Sequence, residues 1–183
     1  MDYKRILAAL LALVMISLPV AGRAENRVAD LLAELREAET ETAALRLENQ
    51  IVAEWSKSGS ASMDLLLKRG RDALEVQNFT AAVEHFRALT DHAPEFAEGW
   101  HGLALAYFGA ERFGPAMDAL ERVLALNPDH FPALRGVGAI NERVGNPTLA
   151  YRAFEKVLEL RPHDPDVQQA MDRLEREAIG ITL

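Results

Sequence analysis

The residues with the means to do chemistry are few in this chain, and their spacing does not group them. The five histidines are His85, His92, His101, His130 and His163. None stands beside another histidine or a carboxylate at a spacing that matches a metal motif. His85, His92, His130 and His163 fall near the ends of helical stretches, where a basic ring meets the negative end of a helix dipole. The sequence has no phosphate-cradling glycine loop and no Gly-x-Ser-x-Gly nucleophile elbow. Cysteine is absent, which removes a thiolate metal site, a thiol nucleophile, a disulfide framework and a lipidated cysteine anchor. The carboxylates are many, but they read as solvated helix faces. The expectation is a chain with no catalytic residue, no metal and no cofactor, one that works by binding and not as an enzyme.

Something must still position the surfaces that bind. With 183 residues, 49% apolar and 26% charged, the chain has the composition of one globular domain with an appendage. Its formal charge is -8. The segment 1–24 carries Lys4, Arg5 and Arg23 against Asp2, so the remainder stands at -10. That acidity argues against nucleic acid as a partner, because phosphates need neutralising by Lys and Arg.

The segment 1–24 forms a separate unit. Lys4 and Arg5 precede an apolar run from Ile6 to Leu18, then Pro19 and the small residues Gly22 and Ala24. This is the layout of a secretory signal, with cleavage expected after Ala24. The run falls short of the roughly 20 residues that span a bilayer as a helix. An uncleaved anchor is the competing reading. Export with cleavage implies a periplasmic or secreted protein with no membrane attachment, a compartment compatible with a chain without cysteine.

The rest is periodic. "ALERVLALNPDH" at 119–130 is echoed at 153–164 by "AFEKVLELRPHD" and at 85–96 by "HFRALTDHAPEF". Pro94, Pro128 and Pro162 occupy one column. A constant period with one residue type held in place marks a repeat array. The middle copy, from Ala97, places Trp100, Leu103, Ala104 and Tyr107 on one helix and Ala116 and Leu120 on the next. The copy from Met63 supplies Leu66, Gly70, Ala73, Ala82 and Phe86, and the copy from Phe131 supplies Leu134, Val137, Gly138, Ala150 and Phe154.

These columns resemble the tetratricopeptide repeat (TPR), a helix–turn–helix unit that recurs about every 34 residues. The resemblance covers 63–164, as repeats 63–96, 97–130 and 131–164, and implies an all-α solenoid of three helix pairs. The small residues at Gly70, Ala104 and Gly138 and at Ala82, Ala116 and Ala150 suit close helix packing. Phe86, Leu120 and Phe154 suit the gap to the following repeat. The turns inside the pairs read "QNF", "ERFG" and "GNP", with Asn146 as a cap and Pro147 at the first helical position. Ala73 and Asn141 depart from the aromatic at Tyr107. Asp164 and Pro165 open a capping helix over 165–178, apolar at Val167, Ala170, Met171, Leu174 and Ala178.

The segment 25–57 is helical in composition and does not continue the repeat, because Glu48 falls where the repeats place Ala. Two readings stand. Val28, Leu31, Leu35, Ala38, Thr42, Leu45, Asn49 and Val52 follow the spacing of a coiled-coil seam, which makes the chain a homo-oligomer. Leu32, Leu47, Ile51 and Trp55 lie off that seam and need burial too. A helix pair that breaks near "EAETET" and packs on the first repeat accounts for them and is preferred. The stretch 58–62 is a joint in either case.

In TPR stacks the first helices of the pairs line a concave groove that holds a peptide. The resemblance therefore implies a groove of Leu67, Arg71, Leu74, His101, Leu105, Phe108, Arg135, Ala139 and Arg143, with Asp64, Glu75, Glu98 and Glu142 among them. The carboxylate clamp of cochaperone TPR domains is not implied. Its columns hold Leu67, Arg71, Gly102, Pro132 and Gly136, with a cation only at Arg71. The functional expectation is a protein–protein adaptor or scaffold in the cell envelope. It takes an extended partner segment with apolar anchors and carboxylates that meet the arginines. A structural oligomer joined through the N-terminal helices is the alternative.

Overall fold

A computed structural model describes residues 20–180. The described residues form nine helices and no strand. They are α1 Val20–Arg36, α2 Glu41–Trp55, α3 Ala61–Glu75, α4 Phe79–His92, α5 Ala97–Gly109, α6 Phe113–Leu126, α7 Phe131–Arg143, α8 Pro147–Leu160 and α9 Pro165–Gly180. The pairs α3/α4, α5/α6 and α7/α8 are the three repeats, stacked in chain order, and α9 packs on α8. This is an all-α solenoid.

Each column of the repeat has a visible cause. Ala82, Ala116 and Ala150 are fully buried where the helices of a pair meet. Phe86 is completely buried, and its ring lies against the backbone of Gly70 in its own repeat and of Gly102 in the next. Leu120 sits likewise against Gly136, and Phe154 against Gly138. Ala170 holds, on the capping helix, the column that Gly102 and Gly136 hold in the repeats, and it is buried. The loops between repeats are tied down at one column. Trp100 Nε1 donates to the Pro94 carbonyl, and Gln168 Nε2 to that of Pro162.

The turns inside the pairs share one geometry that their composition hides. Asn78, Arg112 and Asn146 donate their backbone N–H to the carbonyls of Ala73, Tyr107 and Asn141, each at 2.8 Å. This closes each first helix with a Schellman-type bond and requires a left-handed residue just before it. That residue is Gly145 in the third repeat (φ 80°) but Gln77 and Glu111 in the others, both at φ 57°. A residue with a Cβ is strained there. Gln77→Gly is accordingly expected to stabilise the chain by about 0.5–1 kcal/mol, the relief exceeding the extra freedom of the unfolded chain. Thermal melting checks it, and a lowered midpoint refutes it. Asn146 does stand at the N-cap of α8, yet its side chain makes no capping bond; Asn78 does cap α4, accepting from Ala81 N–H.

The stretch 1–19, which holds most of the expected export signal, lies outside the described residues. Helix α1 begins at Val20, so the expected cut after Ala24 falls within it. The chain turns at 37–40, inside "EAETET", with Thr40 Oγ1 capping α2 by accepting from Ala43 N–H. The hairpin so formed departs from expectation in its seat. Its apolar core is shared with the third repeat and α9, and it meets the first repeat at a polar contact, where Arg71 donates to Ser56 Oγ at 3.0 Å. Leu31, Leu32, Leu35, Ala44 and Ile51 share one core with Phe131, Leu134, Phe154, Val157, Leu160 and Val167. The coiled-coil seam is divided by the turn. Leu31 and Leu35 are spent inside this core, while Thr42, Leu45 and Asn49 are exposed. Among the described residues, no helix is long and apolar enough to cross a membrane.

Candidate functional site

Helix α2 meets the loop before α7 and the loop after α8, and three sets of contacts hold the hairpin there. Trp55 stacks on His130 with ring centroids 4.7 Å apart and touches Phe131. Glu48 meets Arg161 at 3.0 Å and Arg135 at 3.7 Å. On α1, Arg36 reaches Asp129. Arg135 and Arg161 both converge on Asp164, each at 2.7 Å, and Asp164 also accepts the Val167 N–H as the cap of α9. Glu48 is thus the residue that ties the hairpin to a buried charge network. The sequence shows only that it is wrong for a fourth repeat.

The histidines correct the sequence reading. Glu98 and His101 share one face of α5, and His130 arrives from the start of α7. Their ligating atoms lie within 4.8 Å of one another. His130 is not at the negative end of a helix, because it caps the start of α7, its Nδ1 accepting from Ala133 N–H. Nε2 therefore carries the proton and donates to Glu98 Oε1 at 3.0 Å. The other oxygen of Glu98 accepts from Arg71 at 2.6 Å. Each bond occupies a lone pair or a proton that a cation would have to displace, and Arg71 already supplies the positive charge. The cluster is a polar latch that joins the first repeat, the second and the start of α7 beneath Trp55.

The latch controls two protonation states. Burial raises the Glu98 pKa, but the His130 hydrogen bond, the nearby imidazoles and Arg71 outweigh it and hold the carboxyl below its usual range. Burial, then proximity to His130, pushes His101 from 6.5 to about 4. The unfolded chain therefore takes up this proton before the folded chain does. Stability from neutral His101 is present above pH 6.5, is lost as pH falls towards about 4, and levels off below. We expect His101→Gln to melt with a shallower pH dependence than wild type between pH 7 and 4.5. Parallel curves would remove His101 as the cause.

The cleft itself lies between α5 and α7. A cavity of about 300 Å³ is lined by Ala104, Leu105, Phe108, Leu120, Pro132, Gly136, Ala139 and Ile140, with His101 and Arg135 at its margin. A second cavity of about 90 Å³ shares His101, Leu105 and Pro132 with it and adds Val52, Arg71, Leu74 and Glu98. Of the expected groove residues, the structure brings His101, Leu105, Phe108, Arg135 and Ala139 to the first cavity, and Arg71 and Leu74 to the second. Leu67 is not among them. It is buried in the core of the first two repeats. The arginines are present but engaged: Arg71 with Glu98, Arg135 with Asp164 and Glu48, and exposed Arg143 with Glu111 at 3.8 Å. Ala104, Leu120, Ile140 and Val52 line the cleft without having been expected there, and Pro132 and Gly136 line it from the clamp columns. Gly136 and Ile140 share the faces of Pro132, Arg135 and Ala139 at helical spacing, so a helical projection of α7 alone finds them.

Comparison with known proteins agrees with this geometry. Two Tetratricopeptide repeat family models match, over residues 67–118 and 103–175. A TPR repeat-containing protein of Rhizobium etli is 30% identical over 85% of this chain and 76% of its own length. Among solved structures, the first TPR of Spaghetti (RPAP3) bound to an HSP90 peptide superposes with a TM-score of 0.62 at 20% identity, covering 64% of this chain and 93% of that one. The Yersinia enterocolitica type III secretion chaperone SycD, in complex with a peptide of the translocator YopD, gives 0.61 at 12% identity, covering 65% and 96%. At such identities the structures speak for the fold alone. The repeat columns, their stacking and the Rhizobium relative together establish that this chain belongs to the tetratricopeptide-repeat family.

Proposed function

We propose that this protein is a non-enzymatic adaptor or scaffold of the bacterial cell envelope that holds an extended segment of a partner protein in its concave cleft. The observation that carries the reading is the apolar-lined cavity of about 300 Å³ between α5 and α7, on a chain whose overall charge is -8. Apolar anchors seated in such a cavity dominate the energy of an interface, while its rim sets direction. The solved structures that hold peptides support the same class of ligand here. Nucleic acid is disfavoured by the net acidity. The envelope assignment rests on Lys4, Arg5 and the apolar run that follows them.

An affinity pull-down from an envelope fraction tests the reading, with wild type against Leu105→Glu. Leu105 is 43% exposed, so the change leaves the core intact, and melting confirms that first. A partner retained equally by both forms would move the site away from the concave face. Export is tested by the mature N-terminus, expected at Glu25. An intact chain beginning at Met1 in the membrane fraction would overturn it.

A further inference from the structure

We propose that helix α2 is one wall of the binding cleft, and that the cleft takes an uncharged, extended partner segment with a large apolar side chain seated against Leu105, Phe108 and Ile140. This rests on the adaptor reading and narrows it. The two cavities lie side by side, with His101, Leu105 and Pro132 as common walls, and Val52 of α2 lines the smaller one together with Leu74. The N-terminal hairpin is thus part of the site it borders.

The charge of the ligand follows from the charges already spent. The cations facing the cavities, Arg71 and Arg135, are each bound to buried or half-buried carboxylates of this chain. Arg161 completes the account behind them, giving three guanidinium groups against Glu48, Glu98 and Asp164. The set is neutral. An incoming carboxylate would reach only the N–H groups that these bonds of 2.6 and 2.7 Å leave over, on cations whose charge Glu98 and Asp164 already balance, and so would gain little net attraction. His101, which lines both cavities, packs edge-on to His130, is held neutral and makes no hydrogen bond to the described residues, which leaves its ring nitrogens to a backbone amide or carbonyl. An acidic tail of the kind carried by the HSP90 peptide in the Spaghetti structure is therefore the wrong ligand for this cleft.

The test uses the full chain and three synthetic probes by fluorescence polarisation. The first is a short capped peptide of Ser, Asn and Gln with Leu and Phe near its centre. The second has Asp at both apolar positions. The third keeps the apolar pair and ends in Glu-Asp with a free carboxylate. Leu105→Glu and Val52→Glu serve as variants, and Val52→Phe, which fills the smaller cavity without adding charge, carries the test if Val52→Glu loosens the hairpin. The expected result is binding of the first probe, at least tenfold weaker binding of the second, no gain from the third, and a tenfold or greater loss in both variants. Tighter binding of either acidic probe, or binding of no probe at all, overturns the proposal. If Leu105→Glu weakens binding and the Val52 variants do not, α2 is no wall and the proposal fails, while the adaptor reading stands. If neither variant matters, both readings fall.

Discussion

Asp164→Ala is expected to lower stability by about 3–5 kcal/mol and to free the N-terminal hairpin. Asp164 is 1% exposed and Arg161 is 4% exposed, so neither charge has water to fall back on. Removing the carboxylate leaves the Arg161 and Arg135 guanidinium groups sharing Glu48 alone, and it removes the cap of α9. Losing one member of a buried charge pair costs about 3–5 kcal/mol because the survivor stays desolvated, and the lost cap, worth about 1 kcal/mol, falls within that range because Arg135 is partly exposed. The Nε atoms of both arginines already lack an aligned hydrogen bond among the described residues, so the network has no spare acceptor to recruit. Urea unfolding measures the loss, and hydrogen exchange over α2 reports the hairpin. Asp164→Asn should keep part of the cap and lose the charge, falling between wild type and the alanine variant. A loss below about 1 kcal/mol for Asp164→Ala would mean that the network is not structural.

Gly102→Ala is the second large effect, and here two contributions oppose. Alanine is favoured over glycine inside a helix by about 1 kcal/mol. Against that, a Cβ at Gly102 would lie 2.1 Å from Phe86 Cε1, and the same ring is already pressed on Gly70. Phe86 is wholly buried, so its ring has nowhere to move without parting the first two repeats. Overpacking of this kind costs about 1–3 kcal/mol or more, and the net should be destabilising. The decisive measurement is a double-mutant cycle. Phe86→Leu alone should destabilise by leaving a cavity, but combined with Gly102→Ala it should recover much of the loss. Additive losses would show that the ring does not seat on Gly102.

Much of this architecture was legible in the chain because packing between repeats uses the same residue types at the same interval. Pro94, Pro128 and Pro162, with the alanines at 82, 116 and 150, reveal where helices end and where they touch. These demands are local to one repeat and its neighbour, and therefore periodic in sequence. The left-handed column was invisible for the opposite reason. Gln77 and Glu111 adopt it under constraint from a backbone bond, and only Gly145 advertises it.

Tertiary structure alone decided the site. Glu98 and His101 were readable as neighbours on a helix, but His130 joins them from beyond α6, brought back where α7 returns alongside α5. The arginines at 71 and 135 looked like free cations because their partners are remote in the chain. Glu98 belongs to the repeat after Arg71, Glu48 to the hairpin, and Asp164 to the far end of the third repeat. The seat of the hairpin was hidden as well. Periodicity locates the apolar face of a helix, here Ala44, Leu47, Ile51 and Trp55, but not the surface that covers it. That choice depends on shape and charge match across the fold, where Glu48 finds Arg161 and Trp55 finds His130. A period in sequence therefore records contacts between like repeats, whereas contacts between unlike elements leave no interval to read.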